Sequence, residues 1–342
     1  MGPVFLTGGS GFVGGALLAE LVREQRPVRA LARSEVAAES VRSLGAQPIR
    51  GDLDDHAALL AGMRGCTTVF HAAGVNAMCV RDPAPMMHAN VAGSIAVVRA
   101  AAAAGVPRIV YTSSAATIGE PEGVVGSEGT PHRGTFLSAY ERSKFLAEHE
   151  VFELAAQLGT EVVSVNPSSV QGPGRIGGSS RLLLDLVNEK LPVVIDTSVS
   201  IVDVQDCTRA HLRAETQGQP GARYLINGAS LTIREAIGLL QRICGRPRRT
   251  MFAPRAVAGA LRPITAISAR FGSNDPSMCP EMVRTLLHGH RYDGSLAERE
   301  LGLRYTPLET TIRRTLAWYS ARGLAPAPKG DGSEATSRAT DT

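Results

Sequence analysis

The chain opens on a short apolar run, Val4-Phe5-Leu6, which breaks at Thr7 into glycines. The hydrophobic period then changes, and Leu17, Leu18, Leu21 and Val22 fall on one face of a helix. Similar apolar runs recur at 28–32, 47–50, 68–71, 108–113 and 161–166, each separated from the next by a segment of helical spacing. Such alternation needs crossover connections, so it predicts an α/β fold with a doubly wound parallel sheet. Two longer helical segments stand out. One covers 83–104 and is stopped by Gly105 and Pro107; the other covers 137–158. Both carry apolar faces broader than one sheet would need.

Beyond Pro167 the pattern loosens into Gly172-Pro173-Gly174 and Gly177-Gly178, and helices dominate apart from isolated strands at 192–195 and 223–226. The expected division is a sheet domain over 1–170, with 191–230 partly interleaved, and a smaller, mainly helical C-terminal substrate lobe over 171–190 and 231–322. Ala, Pro, Gly, Ser and Thr crowd the end, so 323–342 is expected to be a disordered tail.

At 342 residues the chain can bury a full core, and its net charge of +4 is spread along the sequence. Arg246, Arg248 and Arg249 form a short cluster without interleaved aromatics, which reads as solvated surface and not as a nucleic-acid site. No apolar stretch approaches the roughly 18 residues of a membrane span, and the apolar N-terminus is already the first strand, so a cytoplasmic protein is expected. The five cysteines are scattered and lack metal-ligand spacing; they read as reduced thiols. His288 and His290 stand i, i+2, which on a helix points them apart, so no metal is expected.

Chemistry enters with the glycines. Gly8, Gly11 and Gly14 are spaced GxxGxxG between an apolar strand and an amphipathic helix, the arrangement that holds a dinucleotide pyrophosphate on a helix N-terminus. Tyr140 and Lys144 are four apart and share a helix face. A neighbouring ammonium favours the phenolate, and that makes a tyrosine useful as an acid or base near neutral pH. Ser113 and Ser114 end the fifth strand, where ligands of such folds bind. Ser114 is the candidate to hold a substrate oxygen, and Ser113 the one expected to satisfy strand-end backbone.

Taken together, the glycine turn, the strand-end Thr112-Ser113-Ser114 and the Tyr140/Lys144 pair resemble the extended short-chain dehydrogenase/reductase superfamily, over residues 3 to 322. Val28 to Ser34, Val165 to Pro173 and Arg291-Tyr292-Asp293 are similar to its dihydroflavonol 4-reductase-like branch. The resemblance implies a Rossmann domain in which Tyr140 is the general acid/base, Lys144 lowers its pKa and bonds the nicotinamide ribose, and Ser114 orients the substrate oxygen. It further implies cofactor contacts from Thr7, Gly8, Ser10, Gly11, Phe12, Val13, Gly14, Asp52, Leu53, His71, Ala72, Ala73, Asn90, Thr112, Ser113, Asn166, Pro167, Ser168 and Val170. Many members of the superfamily pair the two long helices into a four-helix bundle, so a homodimer is expected.

Where an acid would bond the ribose of NAD(H), this chain has Arg33 and Ser34, so NADP(H) is favoured, with NAD(H) left open. Sugar-nucleotide dehydratases carry an Asp-Glu pair where this chain has Ala115-Ala116, and epimerases usually an arginine where it has Val163. The expected activity is therefore reduction of a ketone or aldehyde, or the reverse oxidation. A cofactor-retaining sugar epimerase or a steroid-type dehydrogenase is the alternative enzyme, and a non-catalytic dinucleotide sensor the alternative of another class. Around the substrate are expected Ser114, Ala115, Thr117, Gln171, Arg175 and Ile201, a mostly apolar set suited to a polycyclic, acyl or phenolic ketone.

Overall fold

A computed structural model describes residues 2–246, 250–253 and 279–329. The sheet domain alternates as expected: β1 (Val4–Thr7), α1 (Phe12–Arg23), β2 (Val28–Ala32), α2 (Glu35–Ser43), β3 (Gln47–Arg50), α3 (His56–Met63) and β4 (Thr68–His71). The first long helix is α4 (Ala84–Met87) joined to α5 (Gly93–Ala103) by a π-helical turn at His88–Ala92, and it leads to β5 (Arg108–Thr112). The second, α6 (Ala139–Leu158), is capped by Ser138, whose side chain accepts from Glu141 N–H, and is followed by β6 (Glu161–Pro167).

The chain continues through β7 (Ser169–Gln171), α7 (Ser179–Val187), β8 (Val193–Ile195), β9 (Ser198–Asp203), α8 (Val204–Gln217), β10 (Arg223–Ile226), β11 (Ala229–Thr232), α9 (Ile233–Cys244) and β12 (Met251–Ala253). After residue 279 come α10 (Pro280–His288), α11 (Ser295–Leu301) and α12 (Leu308–Ser320).

The main sheet is parallel throughout, in the order β10-β6-β5-β4-β1-β2-β3. Its order reverses between β1 and β4, where Thr7 lies beside His71, so a crevice opens at the carboxyl ends of those two strands. Buried strands read as unbroken apolar runs because both faces are covered. On one face Leu17, Leu18 and Leu21 of α1 pack with Val4, Leu6 and Cys207; on the other Val97, Ala101, Ala147 and Val151 pack with Phe5, Val69 and Ile109. β10, from the interleaved 191–230 segment, adds a seventh strand to this sheet.

Two expectations change. Residues 323–329 are not a free tail: Leu324 packs into the lobe core, and the Lys329 N–H donates to the Ile243 carbonyl at 2.9 Å. Residues 330–342, Arg248 and Arg249 lie outside the described residues. Cys79 and Cys279 are joined in a disulfide across 200 positions of sequence, while Cys66, Cys207 and Cys244 are buried outside that bond. The scattered spacing hid the pair because contact was made by folding, not by sequence proximity.

Candidate active site

The glycine turn is shaped by two contacts. Gly8 has φ +77°, and a Cβ there would stand 2.6 Å from the Ala72 and Ala73 backbone; one at Gly14 would stand 2.1 Å from the Gly8 carbonyl. Helix α1 begins at Phe12 with Gly11 as N-cap and no capping side chain, leaving its first amides available to an anion. Ser10 is exposed at the tip of this turn, and Phe12 and Val13 are half-buried at its edge.

Beneath the turn runs a chain of hydrogen bonds. The Ala73 N–H donates to Thr7 Oγ1 at 3.2 Å, Thr7 Oγ1 lies 2.6 Å from His71 Nδ1, and His71 Nε2 lies 2.9 Å from Ser94 Oγ, which donates to the Asn90 carbonyl. That order assigns the Nε2–H tautomer. His71 is 1% exposed and held neutral, its pKa lowered to about 3 by burial and the nearby Lys144 charge. Both of its ring nitrogens are engaged within the protein, on Thr7 and Ser94. Asn90, in the π-helical turn, exchanges hydrogen bonds with Val75 and donates to Ser143 Oγ on α6. A Cβ at Gly74 would stand 3.2 Å from Asn90 Oδ1 and 4.0 Å from Lys144 Nζ.

Lys144 is buried, and its Nζ donates to the Tyr111 hydroxyl at 3.0 Å and to the Thr112 carbonyl at 2.9 Å. Burial lowers its pKa, opposed by the Tyr140 and Glu148 charges. Tyr140 stands one turn earlier on the same face, half-buried. Glu148, one turn later, is buried and accepts from Ser164 and Asn166. Tyr111 and Glu148 are residues that sequence reasoning missed; the i, i+4 repeat Tyr140, Lys144, Glu148 was the available signal for the latter.

Ser114 caps the short 3-10 helix Ala115–Ile118, its Oγ accepting from the Ala116 N–H at 3.2 Å. Capping uses a lone pair and leaves the O–H free to donate. The expected roles of the two serines are thus partly exchanged. Ser114 satisfies the backbone, whereas among the described residues the buried Ser113 Oγ and Ser168 Oγ meet no partner. Thr112 Oγ1 meets His211 Nε2 at 2.7 Å.

Several expected contacts are turned inward. Asn166 is fully buried and donates to the Ser114 carbonyl and Thr117 Oγ1, so it holds the Ser114 segment from behind. Ala115 and Thr117 are 2% and 1% exposed, Ala115 packing with Tyr292 and Thr117 bonded within its own turn. Gln171 is buried and donates to Ser169 and Ser179, and Val170 belongs to the main core. Ile201 is half-buried in β9, paired with Ser169. Pro167 ends β6. Arg175 is different: its guanidinium lies 5.8 Å from the Phe12 ring centroid and within electrostatic reach of Tyr140, which brings a lobe residue to the crevice.

Toward the β3 edge, past the carboxyl end of β2, Ser34 caps α2 by accepting from the Ala37 N–H, and Arg33 is exposed beside it. Asp52 accepts from the Asp54 N–H, and Leu53 lies against Gly93 on α5.

The glycine cradle, the uncapped amides and the unpartnered Ser113 and Ser168 hydroxyls fit a dinucleotide lying across β1 and β4. The profile of the NAD dependent epimerase/dehydratase family matches residues 4–226. The chain belongs to that family. It is an enzyme of this NAD(P)-dependent oxidoreductase and epimerase group, within the extended short-chain dehydrogenase/reductases. It is 30% identical over 334 residues to a dihydroflavonol 4-reductase-like protein of Synechocystis sp., covering 93% of this chain and 95% of that one. It is 34% identical over 241 residues to the 4-hydroxy-2-methyl-3-oxo-4-farnesyl-3,4-dihydroquinoline-1-oxide ketoreductase of Stigmatella aurantiaca, covering 69% and 71%. The solved structure of gox2253 superposes with a TM-score of 0.84 at 27% identity, covering 95% of this chain and all of that one.

Among the described residues no helix is long and apolar enough to cross a membrane.

Proposed function

We propose that the chain is an NADP(H)-dependent reductase of an apolar ketone or aldehyde, working in reverse as an alcohol dehydrogenase. The carrying observation is Lys144, buried and anchored on Tyr111 and Thr112, one helical turn behind a Tyr140 that remains accessible. Lys144 has three donors and the protein takes two. The third is left for the nicotinamide ribose. Tyr140 stands on the same helix face, where its phenol O–H can pass a proton to a substrate oxygen. Ser114 Oγ–H donates to that same oxygen and fixes it. The bound nicotinamide supplies or accepts the hydride. Glycine-turn amides and Thr7, locked by His71, hold the pyrophosphate end in place.

The preference for NADP(H) rests on the charges at the ends of β2 and β3. Glu35, the acid nearest to the ribose position in sequence, is already drawn to Arg50 at 3.5 Å and Arg42 at 3.9 Å. Arg33 is thereby left exposed for a 2′-phosphate. Arg175, over Phe12, is the lobe residue best placed to meet the substrate or the cofactor phosphates. The reductase and ketoreductase names of the two similar proteins described above support the reaction class. Val163, which stands where epimerases usually carry an arginine, is fully buried in the sheet core. Ala115-Ala116 still argues against dehydration, because no carboxylate stands there. Pairing of α5 and α6 into a homodimer and a cytoplasmic location belong to the same reading.

The test is cofactor stoichiometry. Polycyclic ketones, acyl ketones and nucleotide sugars are offered with NADPH and NADH in parallel. Loss of NADPH absorbance in step with alcohol formed is expected; isomerisation of a sugar with no net cofactor change would replace the reductase reading by the epimerase one.

A further inference from the structure

Helix α10 ends at His288, and Gly289, with φ +67° and ψ 151°, turns the chain sharply out of it. His288 and His290 are therefore not helix neighbours pointing apart. Their rings approach to 5.1 Å between centroids, and both address Glu120. His290 Nδ1 lies 2.7 Å and His288 Nε2 3.6 Å from Glu120 Oε1. One ligand atom from each of the three residues lies within 4.8 Å of the other two. Tetrahedral zinc with bonds of about 2.0–2.2 Å spaces its ligands by roughly 3.3–3.6 Å, so small side-chain shifts would close the shell.

The carboxylate is only 1% exposed, and among the described residues its second oxygen, Oε2, meets no hydrogen-bond donor. A buried carboxylate with an unmet acceptor is costly unless something cationic answers it. Glu141 adds a second negative charge nearby, and Arg133, paired with Glu141, supplies one positive charge. Two nitrogens and a carboxylate are the donor set of borderline divalent transition ions. Tyr292, with its hydroxyl 3.1 Å from His290 Nδ1, closes the remaining side.

Each donor is held by its own backbone. Gly119, preceding Glu120, is pinned by the Arg133 N–H to its carbonyl; the His290 N–H donates to Ser198; and Tyr292 pairs with Gly126. We propose that Glu120, His288 and His290 form a structural site for a zinc-class divalent ion, with Glu120 from the sheet domain and both histidines from the lobe. Tyr292 packs on Ala115 and Ile118, so the ion would sit behind the Ser114 segment and brace it against the lobe. It takes no part in hydride transfer, and the site stands or falls independently of the proposed substrate.

The experiment uses tag-free, full-length protein stripped of metal. Zinc is titrated against a chromophoric chelator, and cobalt(II) is added for its visible spectrum. One zinc per chain is expected, with tetrahedral cobalt bands lacking a thiolate charge-transfer feature, and with a raised unfolding midpoint. Glu120→Gln and His290→Gln should each weaken binding by at least about 10-fold, the lower bound even for residues that only support ligands. Wild-type protein that retains no zinc, or both variants binding as the wild type does, would overturn the site. If a variant does not fold, the wild-type cobalt spectrum decides: octahedral or thiolate-type bands would count against these ligands.

Discussion

Lys144 rests on Tyr111: the ammonium donates to the phenol oxygen at 3.0 Å and lies 4.6 Å from the ring centroid. Tyr111 is fully buried in β5, and its pKa is raised by burial, so its oxygen accepts as a neutral hydroxyl. Tyr111→Phe removes one of two protein acceptors from a buried cation. A hydrogen bond to a charged group contributes about 1.5–3 kcal/mol. We expect turnover to fall by roughly one to two decades, with the alkaline or acid limb of the pH profile displaced and dinucleotide affinity changed little. Unaltered turnover and an unaltered profile would show that Tyr111 is only packing.

Tyr140→Phe tests the acid itself. Loss of general acid catalysis costs roughly 10²–10⁴ in rate. Turnover should fall by at least the lower figure while cofactor titration stays near normal. A phenylalanine variant that still turns over its substrate at close to the native rate would exclude Tyr140 from the role.

Arg33→Ala should weaken NADPH more than NADH, since only the former carries a 2′-phosphate for the guanidinium to meet. The contact has the strength of a charge-assisted hydrogen bond, about 1.5–3 kcal/mol, or roughly one to two decades in affinity. Fluorescence titration with both cofactors reads the ratio directly. Equal losses for the two would place the discrimination elsewhere.

The strand–helix alternation, the glycine turn and the Tyr140/Lys144 face were legible because each is a local pattern: a period, a φ requirement, a four-residue spacing. What the sequence concealed was made by distant segments meeting. Thr117, Gln171 and Ala115 lie where substrate contacts were expected, yet their side chains are used inside the protein; a position along the chain cannot say which way a side chain turns. His71 sat in the right motif but one layer down, its ring nitrogens engaged on Thr7 and Ser94. The same blindness covered Cys79 with Cys279, and His288 with His290, whose apparent helical spacing was broken by Gly289.

The Cys79–Cys279 disulfide ties the loop after β4 to the start of α10. Glu281 reinforces that tie by accepting from the Cys79 and Ala139 N–H groups, at 2.9 and 2.8 Å, one residue before Tyr140. Disulfides closing long loops stabilise typically by about 2–4 kcal/mol. Cys79→Ser should therefore unfold several degrees lower than the oxidised wild type, and a reductant should lower the wild type to match while leaving the variant unmoved. Identical melting of wild type with and without dithiothreitol would show that the bond contributes nothing.

Two buried histidines set the acid stability. His71 is depressed to about 3 and His211 to about 4, in both cases chiefly by burial, from an ordinary value of 6.5. The His211 Nδ1–H donates to the Cys207 carbonyl while its Nε2 meets Thr112, so it too is held as neutral imidazole. In the unfolded chain both gain a proton as pH falls through 6.5, whereas the folded protein resists until about 4 and about 3. The unfolded state then binds more protons, so stability is full above pH 6.5 and declines below it, by up to about 1.4 kcal/mol per pH unit for each histidine. Urea unfolding at pH 7.5, 6.0 and 5.0 should show the denaturation midpoint falling at each step, and His211→Gln should flatten the slope even if it lowers the starting stability. A midpoint constant from pH 7.5 to 5.0 would mean that these imidazoles are not buried neutral.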